Sequence, residues 1–303
     1  MLDKIVEKSP AKINLFLKIV NKRDDGFHNI RTGITFINLY DEITVNPHNK
    51  FEVNYIGLFA PKNNQFKDCI IERLFDFLKK DKPNLLFTIS KNFPYEAGLG
   101  SASSNVATVI KILENLELID KKNIFDYINL GSDIPIFLNQ KDSLVRGKGE
   151  LIANIHFPKY HFLIIRPSFK CSTKKMYESF RTADFDYNID YDLEEINDQD
   201  YGNDFEKIIQ KNEPQFSSII DFLEDIENVI FSRLTGSGSC IYSVFEKKEH
   251  ATDRQPGNDL RVRFPAPKAV QHDGELLTDP AFQRPLILLR GRLQHGGMDK
   301  KET

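Results

Sequence analysis

The run Pro94-Tyr95-Glu96-Ala97-Gly98-Leu99-Gly100-Ser101-Ala102-Ser103-Ser104-Asn105 sets glycines and small hydroxyl residues between a strand-like segment, Leu85 to Ser90, and a helix-like one. Glycines at such a junction let backbone N–H groups approach an anion, and the helix N-terminus adds partial positive charge; a phosphate site is the natural reading. It is not a Walker loop, because no Gly-Lys-Ser/Thr follows at the required spacing. Nor is it a dinucleotide fingerprint, because the third glycine and the downstream acid are missing. Alone, the turn fits equally well a helix start that binds nothing, since Ser and Asn cap many helices.

Four other segments carry residue types that phosphate chemistry could use. Ser9-Pro10-Ala11-Lys12-Ile13-Asn14 places a Lys and an Asn two apart on a strand. Asp24-Asp25-Gly26-Phe27-His28 follows an acidic turn with an aromatic and an imidazole. Leu130-Gly131-Ser132-Asp133-Ile134-Pro135 puts one carboxylate at the mouth of an apolar segment, where a helix cap is the ordinary alternative. Leu234-Thr235-Gly236-Ser237-Gly238-Ser239-Cys240 is a second small-residue turn whose backbone can lie against a ligand.

Several elements must position these residues. Ile13, Leu15, Leu17 and Ile19 alternate as on a strand through Val20, and Glu42 to Val45 is a second short strand. Ile70, Ile71, Leu74, Phe75 and Leu78 recur at helical spacing, ended by Pro83-Asn84. After the glycine turn, Val106, Val109, Ile110, Leu113 and Leu116 mark one buried helical stripe. The second half opens on the strand His161 to Ile165, continues through a helix bearing Ile219, Ile220, Leu223 and Ile226, and closes with a strand from Cys240 to Phe245. Between them, Asp184 to Asp204 holds nine acidic residues in 21 with no Lys or Arg, which reads as a solvated loop.

Composition narrows the function class. The 303 residues suffice for two domains, and 40% hydrophobic with 28% charged residues is ordinary globular usage. A formal charge of -3 gives no basic field for nucleic acid. The apolar runs fall far short of the roughly 20 residues of a membrane span, and the charged N-terminus does not read as a signal peptide. Three scattered cysteines, Cys69, Cys171 and Cys240, suggest neither zinc nor a dithiol site and fit a reducing, cytoplasmic setting.

Taken in order and spacing, the five motifs resemble the GHMP kinases, the superfamily named for galactose, homoserine, mevalonate and phosphomevalonate. Within it they are most similar to the subgroup acting on a cytidine diphosphate-linked methylerythritol on the route to isoprenoid precursors. The resemblance runs from Lys8 to Phe245. It implies an α+β fold of two domains, an S5 domain 2-like nucleotide half over 1–155 and a ferredoxin-like substrate half over 156–248. It also implies ATP-dependent phosphorylation of the substrate's tertiary 2-hydroxyl, with Mg²⁺. By the same carry-over Pro94 to Ser104 wraps the ATP phosphates, with the helix from Ser104 onward aimed at them. Asp133 is the general base, and Lys12 lies beside it. Asn14 touches the polyol, Phe27 and His28 meet the cytosine, Tyr177 closes the stack and Thr173 donates a hydroxyl. No metal ligand is assigned; Ser104 is a candidate. Glu96, where relatives often have glycine, is expected to point to solvent. The rivals are a kinase of the same superfamily for a mevalonate- or homoserine-type alcohol, and a silent binding protein of the same fold.

Residues 249–303 depart from the rest. Residues 1–248 contain 25 Lys, 7 Arg and 31 Ile, whereas the tail has 3 Lys, 6 Arg and one Ile. Only Pro285 to Leu289 looks core-forming. The tail reads as foreign or disordered, without the helix and closing strand that the family supplies, so an exposed strand edge is expected.

Overall fold

Alternating apolar residues build the long strand β1, Ile5–Lys22, which pairs antiparallel with β2, His28–Pro47. Both are far longer than the segments that alternation marks, because the hairpin continues through polar residues once its register is set. Register shifts interrupt it at Pro10/Ala11 and Asn14/Phe16. Proline has no N–H for the ladder and is tolerated at such irregularities, which also re-aim the side chains beside them. β1 is buried on both faces, so Lys12 and Asn14 are as enclosed as Ile13 and Phe16. The computed structural model describes residues 3–64, 66, 68–180, 201–248, 250, 261–262 and 286–292.

The chain continues through β3 (Glu52–Ile56), α1 (Ile70–Leu78), β4 (Leu85–Ser90), α2 (Ser101–Asn115), α3 (Ile134–Asn139), β5 (Ser143–Gly147) and β6 (Leu151–Asn154). The first sheet has the order β3-β4-β2-β5-β6 with β1 also on β2, and only β3 and β4 run parallel. Ile71 and Phe75 of α1, Val109 and Ile110 of α2 and Phe137 of α3 pack with Phe36, Val45 and Phe87 of the sheet. α2 begins at Ser101, three residues before the expected start, because Gly100 in the left-handed region ends the extended segment there.

β7 (His161–Arg166), α4 (Thr173–Ser179), α5 (Phe205–Asn212), α6 (Gln215–Glu224), β8 (Phe231–Leu234) and β9 (Ile241–Phe245) follow. They form the second, antiparallel sheet with β10 (Arg261–Val262) and β11 (Leu286–Arg292), in the order β10-β11-β7-β9-β8. β11 lies along the edge of β7 that the sequence left open, over a segment slightly longer than the apolar run. The backbone ladder, not composition, makes that pairing. The fold is α+β as expected. Strands of the first sheet end at Asn154 and those of the second begin at His161, yet one core joins them, with Ile13, Phe16 and Leu99 packed among Phe162, Tyr242 and Val244. The Tyr242 hydroxyl donates to the Leu15 carbonyl at 3.0 Å. Among the described residues no helix is long and apolar enough to cross a membrane.

Candidate active site

The two glycine turns meet. Gly98 has φ +77°, and a Cβ there would collide with the Thr235 carbonyl; Gly100 has φ +74°, and a Cβ there would strike the Phe137 ring. Such close approach in the left-handed region is available only to glycine at low cost. Lys12 N–H donates to the Leu99 carbonyl at 3.1 Å, Cys240 N–H to that of Ala97 at 3.1 Å, and the Thr235 hydroxyl to that of Gly98 at 3.3 Å. The first turn is thereby sewn to β1 on one side and to the second turn on the other.

A cleft of about 650 Å³ opens over this junction. Gly98, Gly100, Ala97 and the helix-start residues Ser101, Ala102 and Ser103 line it. Their position supplies first-turn N–H groups that have no partner within the helix, and the positive end of its dipole. Glu96 also lines the cleft, exposed and at φ +52°. Pro94, Tyr95, Leu99 and Ser104 do not line it. Ser104 is buried, its hydroxyl donating to the Pro10 carbonyl at 2.6 Å and lying 2.8 Å from that of Ser9. That engagement turns it toward β1, away from any metal in the cleft.

Opposite the helix start, Lys12 Nζ stands 3.6 Å from Asp133 Oδ2. Asp133 occupies the N-cap position of α3 but makes no side-chain cap bond, so its carboxylate, 39% exposed, is left to the cleft. Lys12 also donates to Asn14 Oδ1. The amide of Asn14 donates to the Thr32 hydroxyl at 2.8 Å, and its backbone N–H to the Thr235 hydroxyl at 3.0 Å. Asn14 is thus fixed from three sides.

At the other end of the cleft the ring that meets Tyr177 is His28, at 5.1 Å between centroids and tilted 30°. Phe27 is 53% exposed at the rim, with Lys148 Nζ 4.9 Å from its ring centroid. Desolvation, and then the charge of Lys22, lower the pKa of His28. Burial and the charge of Asp133 raise that of Tyr177. The Thr173 hydroxyl, 2.8 Å from that of Ser237, ties the start of α4 to the second glycine turn.

Sequence reading missed the supports. Beneath the start of α2 the sealed pair Lys91–Asp41 bonds outward: Lys91 donates to the Ser101 hydroxyl and, at 3.2 Å, to Asn105 Oδ1. Asp41 accepts from the Asn92 N–H at 2.8 Å and from Asn105 at 3.0 Å. Burial raises the pKa of Asp41 and lowers that of Lys91, and each partner's charge opposes the shift. Beneath the second turn, Asn203 donates to the carbonyls of Leu234 and Gly236 at 2.9 and 2.8 Å. Asp204 accepts from the Ile19 N–H at 2.8 Å and pairs with Lys18 at 3.3 Å. By composition the acidic run reads as solvated; residues 184–200 lie outside the described residues, and the last member, Asp204, is structural.

For a divalent ion the cleft offers the Asp133 carboxylate, those of Glu96 and Glu178 on its walls, and the Ser103 hydroxyl, whereas the Ser101 hydroxyl is engaged by Lys91. Among the described residues no group of three His, Cys, Asp or Glu could hold a metal by itself. This sparse set fits Mg²⁺, which keeps several waters and takes one or two carboxylates together with substrate phosphates.

The arrangement defines a small-molecule kinase of the GHMP class, and residues 66–140 match the description "GHMP kinases N terminal domain". The 4-diphosphocytidyl-2-C-methyl-D-erythritol kinase of Francisella tularensis subsp. holarctica is 34% identical over 240 residues, covering 77% of this chain and 85% of that protein. That of Buchnera aphidicola subsp. Schizaphis graminum is 33% identical over 265 residues, covering 80% and 85%. The crystal structure of a 4-(cytidine 5'-diphospho)-2C-methyl-D-erythritol kinase shares the fold, with a TM-score of 0.70 at 20% identity over 96% of this chain and all of that one. The chain belongs to the 4-diphosphocytidyl-2-C-methyl-D-erythritol kinase family.

Proposed function

We propose that this chain transfers the γ-phosphoryl group of ATP to the 2-hydroxyl of 4-diphosphocytidyl-2-C-methyl-D-erythritol. The observation that carries the reading is the Lys12–Asp133 pair, 3.6 Å apart, between a helix start able to hold phosphates and an aromatic–imidazole end able to hold a base. Asp133 takes the proton from the hydroxyl. Lys12 orients that carboxylate and faces the charge that develops on the phosphoryl group. General-base assistance contributes about 10² to 10⁴ in rate; positioning and electrostatics at the phosphates supply the rest. Asn14, immobilised by Lys12, Thr32 and Thr235, orients the polyol.

Gly98, Gly100 and the N–H groups of Ser101 to Ser103 cradle the phosphates. Mg²⁺, held mainly by the ATP phosphates and water with the Ser103 hydroxyl beside it, would neutralise phosphate charge. His28 is suited to hydrogen-bond a cytosine edge, with Tyr177 behind it and Phe27 at the rim. Thr173 steadies the second turn. Residues 1–155 form the nucleotide-binding half and also bring Asn14, Phe27 and His28 to the substrate, residues 156–248 form the substrate half that adds Tyr177 and Thr173, and the setting is cytoplasmic. ATP consumption measured with the cytidine-linked alcohol, mevalonate and homoserine in parallel tests the reading. Turnover is expected with the first alone; preference for either of the others would replace the substrate assignment.

A further inference from the structure

Lys111 interrupts the apolar stretch of α2. Between Ser101 and Leu113 it is the one charged residue, and its neighbours Ile110 and Ile112 are buried. Half-burying an ammonium is costly unless a polar group meets it. The group that meets it lies on another helix, because Lys111 Nζ donates to the Phe137 carbonyl at 3.4 Å. That carbonyl stands near the C-terminal end of α3, where C=O groups lack partners within the helix and a lysine is a favourable cap.

Phe137 ties α3 to the site. Its N–H donates to the Asp133 carbonyl at 3.3 Å, so the residue that Lys111 holds also closes the turn that carries the base. Its ring covers Gly100, where a Cβ would lie 2.5 Å from the ring and 3.2 Å from the Lys12 stem. The phosphate turn, Lys12 and Asp133 therefore converge on one residue, and Lys111 grips that residue from the side away from the cleft.

We propose that Lys111 is a positioning residue for phosphoryl transfer: by holding the Phe137 carbonyl it fixes α3, and with it the Asp133 carboxylate, against the phosphate turn. The proposal rests on the function given above and adds to it a group that touches neither substrate. The charges that face Lys111 are Glu114 from its own helix and Glu7 from β1, and α3 has no charged side chain. Burial pushes the ammonium down to about 8 against the pull of those two carboxylates. Above that pH the grip passes to a neutral amine, a weaker donor than the ammonium. Burial disfavours the charged form, so the folded chain gives up this proton before the unfolded chain does, and the contribution of Lys111 to stability rises across that window. A fall of kcat there is not unfolding at this residue.

Lys111→Met keeps the aliphatic stem and removes the donor, whereas Lys111→Arg keeps a cation throughout. The test is kcat and KM from about pH 6 to about 9.5 for both variants and wild type, with urea midpoints. At neutral pH, Lys111→Met should lower kcat about tenfold with KM for both substrates within about twofold. Wild-type kcat should decline above about pH 8 toward the level Lys111→Met value, while Lys111→Arg holds its value through that range. In an Asp133→Asn background, Lys111→Met should change kcat by less than about twofold, since the effect runs through the base. A lowered midpoint with kcat and its pH profile unchanged would make Lys111 purely structural, and full additivity with Asp133→Asn would mean that it acts elsewhere; either overturns the proposal with the function intact. Should Lys111→Met fail to fold, the wild-type and Lys111→Arg profiles decide, and their coincidence above about pH 8 overturns it. If wild type turns over no cytidine-linked alcohol, the functional reading falls and the proposal with it.

Discussion

Two Lys–Asp pairs flank the start of α2, and they differ in almost everything except chemistry. Lys91–Asp41 is closed to water, with Lys91 and Asp41 at 1% and 0% exposure, and its hydrogen bonds run to Ser101, Asn105 and the Asn92 backbone. Lys12–Asp133 is sealed on the lysine side only, its carboxylate open to the cleft. A buried pair cannot exchange a proton with a ligand it never meets, and breaking it leaves an uncompensated charge in a low-dielectric place. A half-open pair can accept a proton from a hydroxyl and pass it on. The difference teaches that environment, not residue type, divides structural from catalytic work here. The helix start needs both, one pair fixing it from beneath and the other facing what it holds.

Breaking the sealed pair should have the largest effect. Asp41→Ala is expected to cost about 3 to 5 kcal/mol of stability, read as a fall in the urea midpoint, with ATP affinity lost as the Ser101 end of α2 loosens. Replacing both members, Lys91→Met with Asp41→Leu, should recover much of that loss, since removing a buried pair together is often close to neutral; a double variant no better than Asp41→Ala would show that the outward bonds matter more than the charges. Lys12→Met should lower kcat with a much smaller stability change, because the Asp133 left behind is solvated. The smallest effect concerns pH. His28 binds its proton less readily in the folded state than in the unfolded chain, whose value is near 6.5. The unfolded state therefore gains protons first, and stability falls as pH drops below that value while staying flat above it. His28→Gln should flatten this part of the curve of melting temperature against pH.

The sequence makes one of these pairs visible and hides the other. Lys12 and Asp133 sit in motifs where glycine and apolar patterning draw attention to them. Asp41 and Lys91 lie 50 residues apart in ordinary polar contexts, and only the pairing of Glu42 with Ser90 across β2 and β4 brings them together. Asp204 was hidden by averaging, since a run of acidic residues reads as solvated although its last member is fixed on β1. Alternation located β1, short apolar segments marked β4, β7 and β9, and helical spacing located α1, α2 and α6. β5 and β6 escaped because Ser143 to Asn154 contains Arg, Gly and Lys; β5 is buried between β2 and β6, while β6 lies largely exposed at the sheet edge. The sandwich expected of Phe27 and Tyr177 depends on side-chain direction at a turn, and there it is His28 that faces Tyr177.

The most direct measurement is single-turnover phosphoryl transfer by Asp133→Asn with the cytidine-linked alcohol and ATP both saturating, alongside its thermal midpoint. The account predicts a rate at least about 10²-fold below wild type with the midpoint lowered by less than in Asp41→Ala, because the lost carboxylate caps nothing and faces the cleft while the sealed Lys12 keeps its bond to Asn14. A rate within about tenfold of wild type would contradict it, and would mean that the proton leaves by another route.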